Sequence, residues 1–112
     1  MRYKQLKNGS YKDKKTGLVW KEFPEKDTYT YENALRFNSK KWRIPNLEEL
    51  KSIVDRENKE ITTKLPNMVF SCFWSSSPNI YISNYMWAVD FSNGYSSNGD
   101  RNDNFYVRLV RR

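Results

Sequence analysis

A chain of 112 residues with no histidine, a single cysteine and a net charge of +7 has the size of one domain, 1–112, and excludes whole reaction classes. Ser-His-Asp and Cys-His catalysis, histidine-ligated metals and an internal disulfide all lack their residues, while carboxylate and lysine chemistry stays formally open. Aromatic residues make up 16% of the chain, and each ring buries roughly 150–250 Å², so an aromatic core is expected in place of an aliphatic one.

No apolar run approaches the ~18 residues of a membrane span, and Met1 to Lys7 lacks the apolar region of a signal peptide. All four glycines punctuate predicted turns, three of them as Asn8-Gly9, Asn93-Gly94 and Asn98-Gly99. Flanked by extended residues, Asn-Gly signals a hairpin because both residues tolerate positive φ in a type I′ turn. Tyr11 to Phe23, broken at Lys15-Thr16-Gly17, reads as a strand, a turn and a second strand carrying Leu18 and Trp20. Thr30 is placed to cap a helix that ends before Trp42, with Tyr31, Ala34, Leu35 and Asn38 on one side. Asn46 with Glu49 three positions on forms a capping-box pattern entered at Pro45, and Leu47, Leu50, Ile53 and Val54 supply the apolar face.

Beyond Pro66 the pattern predicts strands at Met68 to Ser75, at Tyr85 to Phe91 with Trp87, Val89 and Phe91 on one face, and at Phe105 to Val110. Helices first and strands after give an α+β domain, two short helices packed on a small twisted antiparallel sheet and rich in loops. Cys72, between Phe70-Ser71 and Phe73-Trp74, reads as a buried, inert thiol, since reactive thiols need electropositive and partly exposed surroundings.

Two sets of residues are candidates for function. Ser75 to Tyr85 and Asn93 to Asn104 are polar and read as irregular; they offer Asn79, Tyr81, Asn84, Tyr85, Tyr95, Asn98, Asp100, Arg101, Asn102 and Asn104 as ligand-binding residues. Tyr with Asn, Ser and Gly is the composition of adaptable recognition surfaces, and the plain alternative is a pair of exposed loops. Asn98, Asp100, Arg101 and Asn102 are expected to vary without cost to folding. The second set is basic: residues 1–59 hold 15 Lys and Arg against 9 Asp and Glu, whereas 65–99 contain no Lys or Arg. Lys12, Lys14, Lys15, Lys40 and Lys41 are candidates for binding an anion such as a sulfated glycan or nucleic acid, against the alternative of a merely solubilising surface. Asp100, Asn102 and Asn104 have the alternate spacing of EF-hand ligands, but Phe105 stands where Gly should be and Arg111 where the bidentate Glu should be. No cofactor is therefore predicted, and calcium stays open only as the less favoured alternative.

The motifs Asp13-Lys14-Lys15-Thr16-Gly17-Leu18-Val19-Trp20, Trp42-Arg43-Ile44-Pro45 through Glu49-Leu50 and Ile53-Val54-Asp55, Phe73-Trp74-Ser75-Ser76-Ser77, Trp87-Ala88-Val89-Asp90-Phe91 with Asn93-Gly94, and Tyr106-Val107-Arg108 with Val110-Arg111 resemble the Lcl C-terminal domain family of bacteria and phages over roughly residues 8–111. The resemblance implies a C-type-lectin-like fold related to that of formylglycine-generating enzymes, whose cysteine chemistry a lone Cys72 cannot reproduce. It implies that Trp20, Trp42, Trp74 and Trp87 are core residues, and that Arg43 and Arg108 tie backbone carbonyls or a carboxylate such as Asp55 or Asp90. It further implies a non-catalytic adhesin or receptor-binding module, secreted or on a cell or virion surface, that binds a glycan, a sulfated polysaccharide or a cell-surface protein, in some members as a trimer. The competing expectation is a small basic intracellular protein that binds nucleic acid or a partner protein; no nucleic-acid motif is present, and the lysines are scattered among acids.

Overall fold

The computed structural model describes residues 1–58 and 61–112. Strands β1 (Tyr3–Gln5), β2 (Tyr11–Asp13) and β3 (Val19–Trp20) are antiparallel neighbours, joined by turns at Asn8-Gly9 and Lys15-Thr16-Gly17. Only the glycine of the Asn8-Gly9 and Asn93-Gly94 pairs has positive φ, 93° and 82°, so neither is the type I′ turn expected from sequence. The asparagine instead accepts a backbone N–H two residues on, Ser10 at 3.0 Å and Tyr95 at 2.9 Å, which closes the turn with a side-chain oxygen.

Helix α1 (Tyr31–Ala34) starts where expected, with Thr30 Oγ1 accepting from the Asn33 N–H. It lasts four residues and tightens into a 3-10 turn at Leu35–Phe37. Three residues per turn rotate the next side chain away from the helical face; Leu35 is accordingly 40% exposed, and Asn38 turns back to accept the Ile44 N–H. Helix α2 (Leu47–Ser52) has the full capping box: Asn46 Oδ1 accepts from the Glu49 N–H at 2.8 Å, and Glu49 Oε1 accepts from the Asn46 N–H at 2.9 Å. Leu50 and Ile53 are buried, while Leu47 and Val54 are half-buried.

A second antiparallel sheet holds β4 (Cys72–Pro78), β5 (Tyr85–Asp90) and β6 (Tyr95–Asp100), in that order. Together with the two short helices, two sheets instead of one make the fold α+β. β4 begins later than expected and runs past Ser75 to Pro78. The segment read as an irregular loop is largely β6, in register with β5 from Asp90↔Tyr95 to Tyr85↔Asp100. Asn98-Gly99 therefore lies within a strand, and the need for glycine is steric, because a Cβ there would collide with the rings of Trp74 and Phe105. The expected strand Phe105–Val110 is replaced by bridges from Phe105 to Tyr29 and from Tyr106 to Phe73. Only β7 (Val110–Arg111) is a strand, and it completes the first sheet in the order β1-β2-β3-β7.

Phe73 and Trp74 are consecutive in β4 and point to opposite faces, and each seeds a core. On one side Phe73 packs with Val89, Phe91, Trp20, Leu50, Ile53 and Val110; on the other Trp74 packs with Tyr31, Ile44, Met86, Val107 and Leu109. Trp20 and Trp74 are fully buried. Trp42 and Trp87 are only half-buried, which corrects their assignment to the core: Trp42 lies at the sheet edge, and Trp87 faces away from Met86 and Ala88 on its strand. Arg108 is fully buried and ties three backbone carbonyls, Lys21 at 2.8 Å and Glu22 and Pro66 at 3.1 Å. Arg43 finds neither Asp55 nor Asp90 but Glu49, through two bonds of 2.6 and 2.7 Å.

Candidate ligand-recognition site

Four of the candidate residues come together at one end of the β4–β6 sheet. Asn84, at the end of the β4–β5 connection with φ 66°, Asp100 at the end of β6, and Arg101 and Asn102 just past it line a cleft of about 620 Å³ with Thr30, Glu32 and Leu35. Backbone bonds fix the three segments to one another: the Arg101 N–H donates to the Asn84 carbonyl at 3.3 Å, and the Arg101 carbonyl accepts from the Tyr31 N–H at 3.1 Å. The guanidinium of Arg101 lies 5.3 Å from the Tyr31 ring centroid and 3.6 Å from Met86 Sδ. Burial raises the Tyr31 hydroxyl above its ordinary value, with Arg101 opposing the shift. Arg101 makes no ion pair among the described residues, so a stacked, oriented guanidinium keeps most of its donors open to the cleft.

The spacing of Asp100, Asn102 and Asn104 serves a turn. Asp100 Oδ1 accepts from the Asn102 N–H at 2.9 Å, and Asp103 Oδ2 accepts from the Asp100 N–H at 3.0 Å. The Asp100 side chain thus holds the turn as well as lining the cleft, which corrects the expectation of free variation at that position.

The remaining candidates are dispersed. Asn79 is 6% exposed and acts as a clamp: its Nδ2 donates to Asn98 Oδ1 at 2.5 Å, and its Oδ1 accepts from the Tyr81 N–H. Beyond it Tyr81 stands 86% exposed. Tyr85 begins β5 opposite Asp100 and is half-buried. Tyr95, 67% exposed, sits at the far end of β6, about 17 Å along a strand of this length, where it lines a separate cleft with Val54, Arg56 and Thr62. Asn104 is exposed just beyond the turn.

Lys12, Lys14, Lys15, Lys40 and Lys41 are all exposed, but they do not form one patch. Lys12 is directly opposite Lys4 on β1 and Val19 on β3, and Val19 is opposite Arg111 on β7. Cross-strand neighbours share a face, so Lys4, Lys12 and Arg111 form a row. Arg111 and Lys41 both approach the Trp42 ring, at 5.6 and 5.8 Å from its centroid, which extends the row along the sheet edge. Lys15 belongs to a different cleft, with Lys51 and Arg56. Lys4, Arg111 and Trp42 were missed because only strand register brings them beside Lys12.

Other perturbed groups lie in the scaffold, except Tyr3, which burial raises to about 12 beside the cleft that holds Lys15. Burial drives the Asp13 and Glu49 carboxyls up, but Arg2 and Arg43, together with backbone N–H donors from Lys15 and Asn46, hold each below its ordinary value. Burial pushes the Cys72 thiol up to about 11, aided by Asp90, and lowers Arg108 to about 10.

The family model of the Lcl C-terminal domain matches residues 9–111. The chain belongs to the Lcl C-terminal domain family. The match takes in every candidate residue above and all elements but β1, so the Lcl domain includes the whole Arg101 cleft and most of the basic row. No curated protein matches the chain. Among the described residues, no helix of this Lcl domain is long and apolar enough to cross a membrane.

Proposed function

We propose that this Lcl C-terminal domain is a non-catalytic recognition module with a C-type-lectin-like fold, of the adhesin or receptor-binding type, and that it takes a glycan in the cleft around Arg101. The observation that carries this reading is the Arg101 guanidinium, stacked on Tyr31 and unpaired, at the mouth of a polar cleft that also presents Asn84, Asn102, Thr30 and Glu32. Sugars are recognised by such sets of amides, hydroxyls and charges held on a rigid frame, and here the frame is the end of a sheet. An acidic or sulfated sugar suits the guanidinium, and the Lys4, Lys12 and Arg111 row offers a second contact for a longer anionic chain.

A non-catalytic role is supported by where the perturbed titratable groups lie. Asp13, Glu49 and Arg108 are tied to ion-pair or backbone partners, and the shifted groups beside clefts, Tyr3 and Tyr31, are phenols that burial raises, which disfavours the phenolate a catalytic base would need. Glycan-array binding, run with and without calcium, tests the reading. The parent is expected to select acidic glycans, and Arg101→Ala is expected to lose at least ten-fold in affinity while remaining folded. Unchanged binding by a folded Arg101→Ala protein would remove the cleft from the proposal.

A further inference from the structure

A separate cleft, about 720 Å³ in volume, lies between β1, the end of α2 and the segment reaching Pro66. Its walls are fixed by Arg2, which donates two bonds to Asp13, at 2.8 and 2.7 Å, and a third to the Ser52 carbonyl at 2.7 Å, joining the β1–β2 hairpin to the last turn of α2. Tyr3, Val54 and Pro66, all half-buried, line it with apolar surface. Around them stand Lys15, Lys51 and Arg56, which make no ion pair among the described residues. Of the two acids in the lining, Asp55 is engaged by Lys64 at 3.6 Å and by the Glu57 N–H, which leaves Glu57 alone against three unpaired cations.

We propose that this cleft binds an amphipathic small anion, an aryl or acyl group bearing a carboxylate, sulfate or phosphate. The apolar part lies on Tyr3, Val54 and Pro66, and the charged group meets Lys15, Lys51 and Arg56. The volume is that of a small-molecule site, in which apolar lining supplies most of the contact and a few charges fix orientation. Both halves are needed. Exposed ammonium groups attract a bare anion weakly in water, and the apolar lining alone would not distinguish an anion from a neutral molecule of the same shape. The site is distinct from the Arg101 cleft and does not depend on the glycan reading.

The probe is 1-anilinonaphthalene-8-sulfonate, titrated by fluorescence into the intact folded protein, with the neutral N-phenyl-1-naphthylamine as its uncharged counterpart. Saturable binding of the sulfonate, at least ten-fold tighter than the neutral dye, is the expected result. The double substitution Lys15→Glu and Lys51→Glu should weaken the sulfonate at least ten-fold and leave the neutral dye unchanged, whereas Lys40→Glu with Lys41→Glu, outside the cleft, should change neither. Should the Lys15/Lys51 variant melt early, Arg56→Gln at an exposed position gives the same reading, with a loss of about three-fold expected for one charge at a solvated site. Equal affinity for the two dyes, equal sensitivity to the Lys40/Lys41 pair, or no saturable sulfonate binding would each overturn the proposal.

Discussion

Replacing Arg108 by Met removes a charge and three hydrogen bonds while keeping an unbranched side chain in the same space. Each bond from a charged donor to a carbonyl is worth about 1.5–3 kcal/mol, so the three bonds to Lys21, Glu22 and Pro66 amount to roughly 5–9 kcal/mol. Against this stands the cost of burying the cation, visible in the fall of its pKa to about 10, which corresponds to about 3 kcal/mol at neutral pH. The difference leaves Arg108→Met destabilised by about 2–6 kcal/mol, a large part of the 5–15 kcal/mol that holds a domain folded. Thermal unfolding followed by circular dichroism at pH 7 should show the melting temperature reduced by about 8 °C or more. Amide exchange at residues 21–22 and 67–68 should speed up beyond the global loss. A Met variant that melts within about 2 °C of the parent would refute the reasoning: the burial cost would then cancel the bonds, and the three carbonyls would have found water.

Trp74→Ala should cost about 3–5 kcal/mol, as truncation of a fully buried ring does, whereas Trp42→Ala, at a half-buried edge position, should cost no more than about 2 kcal/mol; equal losses in urea unfolding would put Trp42 back in the core. Gly99→Ala should destabilise by about 1–3 kcal/mol through overpacking against Trp74 and Phe105, and a neutral result would show that the two rings can shift. Asp13 has its folded pKa held below the unfolded value, so its contribution is present above about pH 4 and is lost as pH falls through the depressed folded value. Asp13→Asn should therefore be less stable at pH 7 by about 1–3 kcal/mol and lose less stability than the parent between pH 4 and pH 2. Parallel pH profiles for the two proteins would argue against the Arg2–Asp13 pair.

The elements legible in the sequence are those whose signals are local. Thr30, and Asn46 with Glu49, mark helix starts because the capping side chain and the N–H it satisfies are three residues apart, and the Lys15-Thr16-Gly17 turn is likewise complete in itself. β6 was hidden because Tyr95-Ser96-Ser97-Asn98-Gly99-Asp100 shows no alternation of apolar and polar residues; what makes it a strand is β5 alongside it and Trp74 beneath Gly99. Asn-Gly was a sound turn signal at Asn8 and Asn93 and misleading at Asn98, where ring packing and not φ demands glycine. For Arg43 the right partner was within reach: a Glu49 already directed back toward Asn46 by its capping box stands next to the segment that carries Arg43. The Arg101 cleft was legible as composition but not as a place, since Asn84, Arg101 and Thr30 converge only through backbone bonds between distant segments.

Because Tyr95–Asp100 is a strand and not a loop, substitutions there are governed by parity. Ser97 and Gly99 lie on the side of Trp74 and Ala88, where added atoms meet a packed ring, while Ser96 and Asn98 are exposed on the other side. New side chains can enter this stretch at every second position, and they emerge aligned along one edge of the sheet at a spacing of about 7 Å. Asn98 carries one condition: its oxygen holds Asn79 and, through it, the exposed Ile80-Tyr81 tip. A change at Asn98 would thus re-aim a loop on the neighbouring connection, so one substitution in β6 alters two parts of the surface together.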